Sequence, residues 1–134
     1  MEKILFICKG NVARSQMAEA YYNNFTKTKN ASSAGTLDFT PKKYGTPIKE
    51  VIQVMKEEKI DLSEHFVKTI TEEMINNNDQ IFVLCKKEEC PSFLKDSKKV
   101  IYWDVKDPFE TKLENFRRIR DLIKKKVLLI TSPN

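Results

Sequence analysis

Lys3-Ile4-Leu5-Phe6-Ile7-Cys8-Lys9-Gly10-Asn11-Val12-Ala13-Arg14-Ser15 is the stretch on which the fold turns. Residues Lys3 to Cys8 form a short apolar run with β-branched and aromatic members, which suits a strand buried on both faces of a parallel sheet. From Arg14 onward the periodicity changes. Met17, Ala18, Tyr21, Tyr22 and Phe25 recur at helical spacing, so a helix is expected to lay one face on the sheet. Strand, five-residue turn and helix in that order make a βα unit.

Further along the chain, Asn30 to Gly35 reads as a weaker strand of small residues ending in glycine. Thr46 and Pro47 supply an N-cap and a first-turn proline for a second helix, with Ile48, Val51, Ile52 and Met55 as its inner stripe. A further helix is expected from about Thr71 to Asn76. Strands follow at Gln80 to Cys85 and Lys99 to Trp103, with a polar segment between them. Asp107-Pro108 breaks the chain, and a final amphipathic helix carries Leu113, Phe116, Ile119, Ile123 and Val127 on one side. Strands alternating with helices imply an α/β fold: a single domain spanning residues 1–134, with a central four-stranded parallel sheet and helices on both faces.

The bulk properties agree. A chain of 134 residues with 40% hydrophobic and 32% charged residues has the make-up of one globular domain. Its longest apolar runs are far below the ~20 residues of a membrane helix, and the N-terminus has no signal-peptide pattern, so a cytoplasmic protein is expected. A net charge of +5 favours anionic ligands. The lysines are dispersed, however, with no dense basic block interleaved with aromatics, which argues against nucleic acid. Three cysteines in a reducing compartment are expected to be free thiols.

Ligands of open α/β sheets bind beyond the carboxyl ends of the strands, where Cys8 lies. The loop Lys9, Gly10, Asn11, Val12 and Ala13 is long enough to curl its amides inward, and the helix starting near Arg14 adds the positive end of its dipole. Such a loop binds a tetrahedral oxyanion. Arg14 adds a planar fork of donors matched to two oxygens, and Ser15 can donate to the Cys8 sulfur. Cations and a helix N-terminus favour the thiolate, so Cys8 reads as a nucleophile. The spacing Cys-x5-Arg alone arises by chance in ~10% of chains of this make-up. The strand, serine and helix around it make coincidence much rarer. A zinc site is countable from three cysteines and His65, but the spacing lacks a second close pair, and no metal is expected.

Residues Cys8 to Ala20, Cys-Lys-Gly-Asn-Val-Ala-Arg-Ser-Gln-Met-Ala-Glu-Ala, resemble the anion loop of the low-molecular-weight protein tyrosine phosphatase superfamily. Ser15 to Glu19 is especially similar to its thioredoxin-coupled arsenate reductase branch. The likeness continues through Ser33-Ala34-Gly35, Ile60-Asp61-Leu62-Ser63 and Asp107-Pro108 to the last helix. It implies a low-molecular-weight tyrosine phosphatase-like fold with Cys8 attacking a bound oxyanion, Arg14 binding its oxygens and Asp107 moving the proton.

The two branches differ in how the intermediate is resolved. In the reductase branch, which Cys85 and Cys90 resemble, Cys85 would attack the arseno-thiol and Cys90 would then attack Cys85. The resulting Cys85–Cys90 disulfide would be presented to thioredoxin. Lys86 and Lys87 would favour thiolate there, and the charged stretch from Lys86 to Lys98 has little area to lose if it loops out. In the phosphatase branch, water hydrolyses a phosphocysteine with Asp107 as acid and base, and an aromatic at the position of Phe109 lines the substrate pocket. A regulator that binds oxyanions or senses redox state without turnover is a third reading. Asn11, Glu19 and Ser33 match positions that hold potassium in some reductases. Lys68 stands where a further acidic ligand belongs, so its ammonium can replace the ion. No cofactor is expected, His65 reads as structural, and arsenate or a phosphate-type oxyanion is the expected partner of a monomer.

Overall fold

The structure, a computed structural model, describes residues 2–132. Strand β1 (Ile4–Cys8) leads into helix α1 (Arg14–Thr26), then β2 (Ala31–Gly35), α2 (Thr40–Tyr44), α3 (Lys49–Lys56), α4 (Glu72–Asn77), β3 (Gln80–Val83), α5 (Ser92–Lys95), β4 (Val100–Tyr102) and α6 (Leu113–Thr131). All strand pairs are parallel in the order β2-β1-β3-β4. The expected α/β class and four-stranded sheet are what the chain adopts.

Strand alternation sorts the core into two layers. Ile4, Phe6 and Cys8 face one way, into a cluster with Met17, Ala18 and Tyr21 of α1, Val51, Val54 and Met55 of α3, and Phe116, Ile123 and Val127 of α6. Leu5 and Ile7 face the other way, with Ile81, Val83, Cys85, Ile75 of α4, Leu94 of α5 and Cys90. Trp103 extends the first layer by packing on Phe82, 4.5 Å between ring centres, and Phe6, at 5.9 Å. Across the outside of that layer, Arg120 of α6 donates to the Val54 carbonyl (2.9 Å) and to Glu57 (2.7 Å), tying α6 to α3.

Several boundaries differ from expectation. Helix α3 begins at Lys49, because Ile48 is extended (φ −67°, ψ 157°) and its amide is spent on the Val12 carbonyl at 3.2 Å. Thr46 therefore does not cap it; the Thr46 hydroxyl donates to Pro47 O instead. The inner stripe of α3 is Val51, Val54 and Met55, with Ile48 and Ile52 only part-buried. Helix α4 does start as expected, with the Thr71 hydroxyl accepting from the Met74 amide at 3.2 Å. The polar segment after β3 is not an unanchored linker: it forms a 3-10 turn at Lys87–Glu89 and helix α5, and it buries Cys90 and Leu94 completely or nearly so. Helix α2 was not foreseen.

The order β2-β1-β3-β4 puts the crossover from one side of β1 to the other beside the end of β1, the crevice where such sheets bind ligands. The end of β2 presses against the loop that follows β1. A Cβ on Gly35 would lie 2.8 Å from Gly10 C, 2.9 Å from Asn11 N and 2.9 Å from Lys9 O, all backbone atoms. Gly10 itself has ordinary room, with its nearest neighbours at 3.5 and 3.6 Å. No helix among the described residues is long and apolar enough to cross a membrane.

Gly35→Ala is accordingly expected to cost about 1–3 kcal/mol in urea unfolding, because backbone cannot be displaced cheaply. Gly10→Ala should stay within about 0.5 kcal/mol of the parent chain in the same experiment. Equal effects at the two glycines would contradict this packing.

Candidate active site

Cys8 ends β1, and the five residues after it are held in place mainly by their carbonyls. Thr36 and Leu37 amides bond Lys9 O at 2.9 and 3.0 Å, the Gln16 side-chain amide bonds Asn11 O at 3.2 Å, and the Ile48 amide bonds Val12 O. With the carbonyls tied outward, the amides of Lys9, Gly10, Val12 and Ala13 take no protein acceptor among the described residues. That leaves a row of unspent donors at the start of a 13-residue helix, the arrangement that anions select.

The turn depends on Asn11, which is buried at φ 59°. Its side-chain amide donates to Ser15 Oγ (2.7 Å) and Ser33 Oγ (3.0 Å), and its Oδ1 accepts from Gln16 Nε2 (3.0 Å) and the Lys68 amide (2.9 Å). The asparagine side chain thereby offsets a left-handed conformation that costs most residues free energy. Because Ser15 Oγ accepts from Asn11, its own proton is free for the Cys8 sulfur, 2.9 Å away. The Asn11 amide also donates to that sulfur, at 3.2 Å.

Arg14 is buried, and its Nη1 donates to the carbonyls of Leu84 (3.0 Å) and Val105 (2.8 Å), in the segments that follow β3 and β4. Pinning one nitrogen leaves the rest of the fork for a ligand. Its Nη2 lies 3.6 Å from Asp107 Oδ2, and the Asp107 side chain is 45% exposed. Cys8, Arg14 and Asp107 line one cavity of about 240 Å³, with the loop as floor and Phe39, Tyr44 and Phe109 as walls. Tyr44 and Phe109 meet edge to face, 6.2 Å between centres.

Cys85 and Cys90 are placed elsewhere. Both are buried in the second layer, whereas Cys8 belongs to the first, so the Cys85 side chain points to the opposite face of the sheet from Cys8. The Cys90 sulfur donates to the Lys86 carbonyl at 3.6 Å. The neighbouring Cys90 thiol, with burial, pushes Cys85 above the ordinary thiol range, and the neighbouring Cys85 thiol draws Cys90 below it. Lys95 favours the Cys90 thiolate. Arg14 connects the two groups through the Leu84 carbonyl, one residue before Cys85.

Three features escaped sequence reasoning. Gln16 links Asn11, the Phe66 carbonyl (2.7 Å) and His65 Nδ1 (3.1 Å); it lay within the Ser15–Glu19 stretch that carried the resemblance but was given no role of its own. Phe39 and Tyr44 sit on and beside the unforeseen α2; two aromatics in a polar stretch were the available signal. His65, read as structural, has Glu19 Oε2 3.5 Å from its Nδ1, and Glu19 Oε1 accepts from Ser33. Lys68 Nζ donates to Phe66 O at 2.9 Å, and burial lowers its pKa while Glu19 opposes that.

Known proteins resemble this chain over nearly all its length. The model of the family described as low molecular weight phosphotyrosine protein phosphatase matches residues 3–131. An arsenate reductase of Staphylococcus aureus is 36% identical over 126 residues, covering 90% of this chain and 89% of the relative. Arsenate reductase 2 of Staphylococcus saprophyticus is 35% identical, covering 92% of each. Among solved structures, the YwlE arginine phosphatase superimposes with a TM-score of 0.85 at 25% identity, over 96% of this chain and 93% of that one. Vibrio vulnificus Wzb in complex with benzylphosphonate gives 0.81 at 23% identity over 97% of both, a likeness of fold. With its Cys8 loop, buried Arg14 and four-stranded parallel sheet, the chain belongs to the low molecular weight phosphotyrosine protein phosphatase family.

Proposed function

We propose that this protein reduces arsenate to arsenite through Cys8, Cys85 and Cys90, with a thioredoxin-type dithiol protein as the electron donor. The observation that carries the reading is the pairing of two sites: a cysteine in an amide-lined loop, and two thiols buried in one layer, the first of them one residue beyond the carbonyl that fixes Arg14. The arsenate reductase relatives at 35–36% identity support it.

The chemistry runs as follows. Arsenate docks on the free amides, and the Arg14 fork takes two of its oxygens, releasing Asp107 from Arg14. The Cys8 sulfur forms a bond to arsenic while one oxygen departs as water, protonated from Asp107. Cys85 gives its proton to the neighbouring Cys90 and attacks the Cys8 sulfur. The S–As electron pair goes to arsenic, which leaves as arsenite, and a Cys8–Cys85 disulfide forms. Cys90 then attacks Cys85 and frees Cys8, and the donor's two thiols reduce the Cys85–Cys90 disulfide. Because the cysteines start on opposite faces of the sheet, Cys85 has to swing round, drawing Cys90 and Leu94 from their layer.

A second activity is favoured by one specific observation. The cavity over Cys8 is larger than a bare tetrahedral oxyanion fills, and Phe39, Tyr44 and Phe109 form an aromatic wall. An aryl phosphate ester fits that lining, with Cys8 forming a phosphocysteine that water hydrolyses with Asp107 as acid and then base.

Arsenate-dependent NADPH oxidation, coupled through thioredoxin and its reductase, should fall at least ~100-fold in Cys8→Ser, Cys85→Ser and Cys90→Ser. Hydrolysis of p-nitrophenyl phosphate should be lost in Cys8→Ser, drop roughly 10²–10⁴-fold in Asp107→Asn, and survive in both other serine variants. Full arsenate turnover in Cys85→Ser or Cys90→Ser would contradict the relay.

A further inference from the structure

Lys9 directly follows the nucleophile, and its side chain is shared between the two sites. It lines the cavity of about 240 Å³ over Cys8, and its Nζ lies 3.5 Å from Glu89 Oε2 in the turn that carries the relay thiols. Glu89 is engaged at both oxygens. While Oε2 faces Lys9, Oε1 accepts the Lys86 amide at 2.9 Å. Lys86 is in turn the residue on which the segment closes, since its carbonyl accepts the Glu89 amide at 2.9 Å and the Cys90 thiol at 3.6 Å. Glu89 also lines a cavity of about 310 Å³ together with Arg14 and Asp107, which themselves belong to the cavity over Cys8. The Lys86 amide, then Lys9 and Arg14, hold its carboxyl below the usual range, so it is charged at neutral pH.

Resting on the relay described above, we propose that Glu89 is a positioning residue that latches the Cys85–Cys90 segment to the empty oxyanion loop through Lys9, and that a docked oxyanion takes Lys9 over and releases the segment. The charges decide the direction. A dianion on the loop amides offers Lys9 more negative charge than one carboxylate does, and it lies inside the cavity, whereas the Lys9–Glu89 pair is at a rim where the side chains are 47% and 30% exposed. Arg14 is drawn the same way, so its pull on Glu89 weakens as its fork takes the anion. Without the pair, the turn keeps only its own hydrogen bonds to Lys86 and Lys87. Cys90 and Leu94, which have to leave their layer for Cys85 to reach Cys8, are thus held while the loop is empty and loosened once substrate is seated. A pair this exposed shifts an opening equilibrium by about 2- to 5-fold, which tilts the swing without driving it.

Amide hydrogen exchange of the full-length chain, read by NMR at Glu89, Cys90 and Leu94, tests the latch without turnover. The probe is inorganic phosphate, which docks as arsenate does and is not reduced by thiols; calorimetry sets a concentration that fills the loop of each variant. In the parent chain phosphate should speed exchange at these amides about 2- to 5-fold. Glu89→Gln keeps an oxygen for the Lys86 amide and removes the charge, and Lys9→Met removes the other half of the pair with the turn untouched. Each should raise exchange by a similar factor without phosphate and abolish the response to it. Bound phosphate that leaves exchange in the parent chain unchanged, or slows it, overturns the proposal. So does a phosphate response that persists in either variant, which marks a turn loosened by packing alone. Arsenate turnover of Cys85→Ser decides the relay separately. The expected exchange pattern beside full turnover in that variant keeps the latch and rejects the relay, and the opposite pair of results keeps the relay and rejects the latch.

Discussion

A row of backbone amides aimed at one point is unstable unless something else occupies the carbonyls and holds the turn open. In this protein that constraint falls on Asn11. Its left-handed backbone supplies the bend, and its side chain joins Ser15, Ser33, Gln16 and the Lys68 backbone, so that α1, β2 and the segment before α4 are fixed relative to the loop. The bond to Ser15 also decides where the serine proton goes, and hence what the Cys8 sulfur receives. Gly35 allows β2 to come close enough for Ser33 to take part. Removing the asparagine would therefore disturb the bend, the sulfur and the packing of β2 together.

Electrostatics follow from the same frame. Arg14 is buried, yet two carbonyls in the segments after β3 and β4 satisfy one of its nitrogens and an exposed aspartate sits near another. A buried guanidinium with part of its fork unspent binds an oxyanion strongly, because water does not compete for it. The Leu84 carbonyl makes β3 a shared strut: it holds the arginine of one site and leads directly into the first thiol of the other.

Much of this was legible in the chain. The all-apolar run of β1 and the long stripes of α1 and α6 left little choice of element, and Cys8, Arg14 and Ser15 stood out because a βα turn gives those residue types a common job. Helix α2 was invisible because Thr40-Pro41-Lys42-Lys43-Tyr44 is too short to show an apolar stripe, and with it the aromatic wall was lost. Pro47 was a misleading start signal, since the loop's need for the Ile48 amide outweighed local helix preference. The separation of Cys8 from Cys85 could not be read at all. Strand alternation makes it a matter of register between β1 and β3, which only tertiary pairing sets. The pairing of Lys9 with Glu89 was equally hidden, because two loops far apart in sequence carry it.

The central claim is that three thiols act in sequence on one oxyanion, and a single-turnover disulfide map tests it most directly. Fully reduced protein is mixed with one equivalent of arsenate and no external reductant, quenched with an alkylating agent, and digested for mass spectrometry. The account requires a Cys85–Cys90 disulfide with Cys8 recovered alkylated, formed in step with arsenite release. Recovery of all three cysteines alkylated after arsenate has been bound would contradict it and leave the Cys8 loop as a phosphatase site.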